Sequence, residues 1–231
     1  MERIKLSKGV IALGGTQGVG KTRFSLKLAN YIAEKEKVLF ISYQDYNEKL
    51  ISIVNELDEK VQEKLEINTS FKYCNLLTFL DIYDYVEKHN FTTVFIDDIN
   101  WFNEGIRSYT DQYYKETSIK ALLFLSKKLN VRIIFTLSIE ECHDYPVENS
   151  VRNFSWSRNI VNECSQIYVL YRPYFYGYST DQNGESLIDQ IRVISLKNEN
   201  HKEETIILDN CELKIYTEEF DRNQYLGLLM S

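Results

Sequence analysis

Only 2 prolines and 9 glycines occur among the 231 residues, and no Ser/Gly/Pro-rich tract separates one part of the chain from another, so an interdomain linker is not expected. Residues 1–231 read as a single domain, long enough for one substantial core and short for two. Internal repeats and low-complexity segments are missing too. Cysteine is sparse: Cys74, Cys142, Cys164 and Cys211 stand far apart with no C-x-x-C and no neighbouring His pair. That spacing excludes a metal-ligand cluster and a disulfide framework, and leaves buried free thiols. Long hydrophobic runs are absent. The apolar stretch Val10 to Leu13 runs straight into glycines, with no cleavage pattern and nothing near membrane-spanning length. A soluble, cytosolic protein with no membrane partner is the expectation. Positive charge is in deficit, 27 Lys and Arg against 34 Asp and Glu for a net −7, which opposes non-specific attraction to a polyanion unless the basic residues gather on one surface.

What the chain does have is a series of short, almost continuously apolar runs: Val10 to Leu13, Val38 to Ile41, Thr93 to Ile96, Ile133 to Leu137 and Ile167 to Tyr171. Strands buried on both faces look like this. Helical patterns lie between them. Phe24, Leu28, Tyr31 and Ile32 share one face, as do Ile119, Leu122, Leu123 and Leu129. Asn47 is placed to cap a helix reaching about Leu57, and another helix is expected over Leu77 to His89. Alternating strands and helices predict an α/β fold with a mostly parallel central sheet flanked by helices. After Tyr171 the pattern changes. Asn183-Gly184 signals a hairpin, and Gln190 to Lys197, Glu204 to Leu208 and Leu213 to Thr217 read as antiparallel strands closing one edge. The final QYLGLLMS reads either as a tail for a partner or as a segment packed on its own core.

Gly15-x-x-x-x-Gly20-Lys21-Thr22 follows the first expected strand and opens the first expected helix, the setting a phosphate-binding loop requires. The segment Gly15, Thr16, Gln17, Gly18, Val19, Gly20 can turn its backbone N–H groups inward around phosphates, Lys21 can reach the β- and γ-phosphates, and the Thr22 hydroxyl can ligate Mg²⁺. A nucleoside triphosphate with Mg²⁺ is therefore the expected ligand. The apolar strand of TTVFIDDIN ends in Asp97-Asp98. A carboxylate at that strand end, Asp97, is placed to hold Mg²⁺, commonly through a water, while Asp98 reads either as its companion or as a cap for the next loop. Hydrolysis also needs a group to orient or deprotonate the attacking water, and Ser42-Tyr43-Gln44-Asp45, after the second strand, is where to look.

The whole stretch from about Lys8 to Phe220 resembles the C-terminal, RecA-like ATPase domain of DnaB-type replicative helicases. GVIALGGTQGVGKTRFSLKLAN, VLFISYQD, TVFIDDINWF, SIKALLFLSKKLNVRIIFTLS, IVNECSQIYVLYR and IRVISLKNEN carry the resemblance, in the family's order. The phosphate-binding loop alone would name only a superfamily; the helix ending in LSKKLNVRIIFTLS and the strand ending in Tyr171-Arg172 narrow it. The resemblance implies a RecA-like fold, Mg·ATP, a role in unwinding DNA as a ring, Lys21 and Thr22 as the loop's functional pair, Asp97 as the metal-associated aspartate, and Arg172 on the nucleotide.

Several positions depart from the family. Gln44 stands at the catalytic glutamate, and an amide orients water without taking its proton; Asp45 is the substitute if the loop turns it inward. Ile139 stands at the glutamine that senses the γ-phosphate. Lys197 matches a lysine that reaches the neighbouring subunit's nucleotide, but Glu199 stands at the accompanying arginine, and an anion there opposes γ-phosphate cleavage. The second channel loop carries Glu140, Glu141, Asp144 and Glu148 against Arg152, which repels single-stranded DNA. Trp101, Phe102 and Trp156 read as base-stacking groups or as packing and interface residues. With 14 residues before Gly15, the family's N-terminal domain and ring-forming linker helix are not expected. Two readings emerge: a slow ATPase of the DnaB type acting in replication or mobile-element DNA transactions, alone or as a homo-oligomer, and a nucleotide-dependent binding module serving a protein partner. A small-molecule kinase has less support, since no lid-like arginine cluster follows.

Overall fold

The computed structural model describes residues 1–42, 59–71, 76–99, 111–139, 162–198 and 204–209. In chain order these form β1 (Val10–Gly15), α1 (Lys21–Ala33), β2 (Val38–Ser42), the short α2 (Glu59–Gln62), β3 (Leu65–Asn68), α3 (Leu76–His89), β4 (Thr93–Asp97), α4 (Asp111–Leu129), β5 (Arg132–Ser138), β6 (Gln166–Tyr171), a 3₁₀ turn (Pro173–Tyr176), β7 (Gln190–Lys197) and β8 (Glu204–Asp209). The eight strands make one sheet in the order β3-β2-β4-β5-β1-β6-β7-β8. From β3 to β6 every pairing is parallel; β7 and β8 add antiparallel strands at one edge.

The near-continuous apolar runs have a direct cause, because successive side chains of a strand point to opposite faces and both faces here are covered. On one side Ile11, Leu13, Phe40, Phe95 and Ile134 pack with Phe24, Leu26, Leu28 and Ile32 of α1. On the other, Val10, Ala12, Ile41, Ile96, Ile133 and Phe135 pack with Ile82 and Val86 of α3 and Ile119, Leu122 and Leu125 of α4. Each fully buried Phe or Leu stabilises the fold by about 1.5–3 kcal/mol. Of the residues expected on the inner helix faces, Phe24, Leu28, Ile32, Ile119 and Leu122 are buried; Leu123 and Leu129 are partly so, and Tyr31 is half-buried under the Lys35 ammonium.

Five parallel strands fall where expected, each longer by one to two residues. The strand Leu65–Asn68 was not foreseen, because LEIN is four residues long and only Leu65 is buried, so it lacks the continuous apolarity of the inner strands. Asn183-Gly184 sits in a turn with Gly184 at φ 83°, but it closes only an isolated bridge between Thr180 and Ser186, not a strand hairpin. Cys164 is a buried free thiol, and burial pushes its pKa up to about 12. The helix expected after Asn47, the strand Leu213 to Thr217, the final tail and the other three cysteines lie outside the described residues. Among the described residues, no helix is long and apolar enough to cross a membrane.

Candidate nucleotide site

The chain leaves β1 toward β2 with α1 on one face of the sheet, and leaves β4 toward β5 with α4 on the other. The crevice at the carboxyl ends of β1, β5 and β4 is therefore a topological switch point, the place where open parallel sheets bind ligands. Residues 15 to 22 lie there. Gly20 adopts φ 102° and caps α1, a left-handed geometry that costs a side-chain-bearing residue and costs glycine little. The first turn of α1 has no acidic residue and no side-chain cap, so the positive end of the helix suits an anion.

Gly15 has a different reason. A Cβ built there would sit 2.7 Å from Cγ1 of Val19, a stiff β-branched side chain in the core, and 3.3 Å from the Leu170 carbonyl oxygen. Gly15→Ala is expected to destabilise the chain by roughly 1–3 kcal/mol through overpacking, read as a lower denaturation midpoint with an unchanged slope in urea. A variant as stable as the parent would mean that the loop and β6 are less tightly apposed.

Lys21 is buried and folds back into the loop. Its Nζ donates to the Gly15 and Thr16 carbonyl oxygens, both at 3.0 Å. Burial lowers its pKa, while the Asp98 and then the Asp97 carboxylates oppose that shift. Asp97 ends β4 on the α1 face, 1 % exposed. Its Oδ1 accepts a 2.6 Å hydrogen bond from the Thr136 hydroxyl of β5, and its buried Oδ2 has no hydrogen-bond partner among the described residues. Burial is the largest influence on the Asp97 carboxyl and raises its pKa; Thr136, Thr22 and Lys21 pull it back in that order. The next peptide, Asp97–Asp98, is cis, and Ser138 Oγ approaches Asp98 Oδ2 at 3.4 Å.

An orphaned carboxylate oxygen inside a protein costs free energy until something electropositive meets it. With Thr22 beside it and a loop for phosphates in front, this donor set fits Mg²⁺, which keeps most of its coordination for water and phosphate oxygens. No group of three or more His, Cys, Asp or Glu side chains suited to a metal alone occurs among the described residues, and such a site needs none.

The third wall is the turn after β6. Phe175 is 54 % exposed, its Cε1 3.9 Å from where a Gly18 Cβ would be, and the Arg172 guanidinium lies over its ring at 5.0 Å from the centroid. The Tyr176 and Thr16 hydroxyls are hydrogen-bonded at 3.0 Å.

Solved structures share this arrangement of strands and helices. One, described as an ATPase domain, superposes with a TM-score of 0.70 at 15% identity, over 87% of this chain and 81% of that one. A DnaB-like replicative helicase, whose structure was determined with its interactions with primase, gives 0.69 at 15% identity, over 87% of this chain and 55% of that longer one. The RadB recombinase gives 0.58 at 14% identity, over 89% and 88%. The fold is RecA-like. No family model matches the sequence, and no curated protein matches it.

Within the RecA-like frame the expected site residues divide into three groups. Gly15 to Thr22 and Asp97 come together, with Arg172 at their border. Ile139 donates its backbone N–H to the Gly15 carbonyl at 3.0 Å, while its side chain is 4 % exposed in the apolar cluster under β1 and β5. Lys197 does not join the group: it pairs with Ile167 at the start of β6, the far end of the sheet from Lys21, and its Nζ donates to the Asn162 carbonyl. Gln44, Asp45, Glu199, Trp101, Phe102, Trp156 and the acidic loop lie outside the described residues. Sequence reasoning missed Thr136 and Tyr176. A lone hydroxyl interrupting the apolar run Ile133 to Leu137 was a signal for the first; the second had none, since its partner is 160 residues away.

Proposed function

We propose that this single domain binds Mg·ATP in the loop Gly15 to Thr22 and is a slow RecA-like ATPase of the DnaB helicase type, acting in cytoplasmic DNA replication or mobile-element DNA transactions. The observation that carries the reading is the convergence of Lys21, Thr22 and the unpartnered Asp97 Oδ2 on one cradle among the described residues. Lys21 would move from the loop carbonyls to the β- and γ-phosphates, exchanging two neutral acceptors for charged ones. Thr22 and Asp97 would hold Mg²⁺, which when bound neutralises charge building on the phosphate oxygens. Thr136 keeps the Asp97 carboxylate oriented, and Arg172, stacked on Phe175, offers a flat surface to the base. Lys197, at the other end of the sheet, would serve only a neighbouring subunit's nucleotide in a homo-oligomer.

Slow turnover is supported by Ile139, whose side chain packs in the core and offers no donor to a γ-phosphate. Gln44 and Glu199 point the same way from the sequence. Hydrolysis is expected below roughly 0.1 s⁻¹, against about 10 s⁻¹ for a median enzyme, and single-stranded DNA should leave it unchanged. Phosphate release with and without DNA measures this; fast, DNA-stimulated turnover abolished by Lys21→Ala would restore a full helicase motor and remove the claim of slowness. The same Ile139 favours a second reading, a nucleotide-dependent binding module for a protein partner. Tight ATP binding with no phosphate release, together with a partner that co-purifies only with nucleotide, would select it.

A further inference from the structure

The phosphate-binding loop is held from outside by one aromatic side chain that its motif does not include. β6 ends at Tyr171, and the 3₁₀ turn begins at once with Pro173, whose fixed φ suits the first helical position. Gly177 stops the turn at φ 83°, its N–H bonded to the Tyr174 carbonyl at 3.1 Å, and the Tyr178 N–H closes onto Pro173 at 3.2 Å. This geometry folds Tyr176 back over Tyr171, with ring centroids 5.1 Å apart and planes 23° apart, and brings its hydroxyl to the Thr16 hydroxyl at 3.0 Å.

Thr16 is a consequential residue to hold. Its carbonyl is one of the two that keep Lys21 in the loop, and it is 4 % exposed, whereas the next two residues, Gln17 and Gly18, are exposed. The contact therefore falls at the boundary between the part of the loop fixed by β1 and the part that must close on a ligand.

We infer that Tyr176 is a positioning residue for the phosphate-binding loop, fixing Thr16 through the paired hydroxyls so that the loop amides are pre-arranged for a triphosphate. The inference rests on the nucleotide-binding reading above and deepens it. Two tyrosines stacked at the end of a sheet strand form a stiff mount, and a hydroxyl pair at its tip restricts Thr16 without touching phosphate. A loop already in its bound shape loses less freedom on binding, and that difference appears as affinity. Removing the phenol oxygen leaves the stack in place and releases Thr16.

The test is calorimetric titration of the full chain with Mg·ATP, alongside Tyr176→Phe, Thr16→Val, Thr16→Ser and the Phe/Val double variant. Tyr176→Phe and Thr16→Val should each weaken binding roughly tenfold, which is about 1.4 kcal/mol, while the melting temperature without nucleotide moves by no more than about 3 °C. Thr16→Ser, which keeps the hydroxyl, should restore the parent's affinity, and the double variant should bind no more weakly than either single one, because both remove the same contact. Tyr174→Phe, which loses an exposed phenol on the same turn, should bind like the parent. Parent-like affinity in Tyr176→Phe, or losses that multiply in the double variant, would overturn the positioning role while parental binding leaves the nucleotide site standing. A parent chain that takes up no Mg·ATP would overturn both.

Discussion

Lys21→Ala is expected to weaken Mg·ATP binding by at least roughly 100-fold. Among the described residues its ammonium is the one cation inside the loop, and a charge-assisted hydrogen bond contributes about 1.5–3 kcal/mol; two of them, to the β- and γ-phosphates, exceed a factor of about 100 at roughly 1.4 kcal/mol per decade. The free chain should tolerate the change. The Gly15 carbonyl keeps its bond from the Ile139 N–H, and the Thr16 carbonyl keeps the longer one from Val19 at 3.4 Å. Truncation also relieves the burial that lowers the Lys21 pKa. Equilibrium dialysis with ATP, beside a thermal melt of the free variant, separates lost binding from lost folding. Affinity within about threefold of the parent would show that the loop grips nothing through this lysine.

Asp97→Asn should move two properties in opposite directions. In the free chain the Asp97 carboxyl is buried beside the Thr136 hydroxyl, and burial holds its pKa above the ordinary 3.8 against the pull of Thr136, Thr22 and Lys21. A carboxyl that binds its proton more tightly when folded contributes fully below its unfolded pKa, and that contribution is lost as pH rises through the folded value. The parent therefore carries a penalty at neutral pH that Asn removes. Asn keeps an acceptor for Thr136, and Asp98, the stronger of the two carboxylate influences on Lys21, remains. The free variant should melt a few degrees above the parent at about pH 7, by roughly 1 kcal/mol of relieved burial, and the gap should close toward about pH 4. Mg²⁺-dependent nucleotide affinity should fall about 10–100-fold, the usual cost of losing a group that orients a metal site. A variant less stable at neutral pH and unimpaired in Mg²⁺-dependent binding would refute both halves of this account.

The contrast between Asp97 and Thr136 shows what the sequence could and could not reveal. The place of Asp97 at the end of β4 was legible because the apolar run before it stops at a charged residue. The turn from β1 into α1 was legible for the same local reason, glycines where it must tighten followed by Lys and Thr. The inner parallel strands were legible because burial on both faces writes an unbroken apolar run. Leu65–Asn68 left no such mark, being half-exposed, and neither did the partners of the loop. Thr136 meets Asp97 across 39 residues and Tyr176 meets Thr16 across 160, distances over which no spacing rule operates. Lys197 shows a further limit: its family position implied a reach toward a neighbouring subunit's nucleotide, and the register of a single chain, which places it at the end of the sheet away from Lys21, does not bear on that.

The cradle of Lys21, Thr22 and Asp97 is expected to take up a magnesium-bound triphosphate. Isothermal titration of the folded chain with ATP, with Mg²⁺ and then with the ion chelated, tests it most directly. Saturable uptake of about one nucleotide per chain is expected, weakening at least about tenfold when Mg²⁺ is withdrawn. No uptake in either condition, from protein whose circular dichroism and cooperative melt show it to be folded, would contradict it.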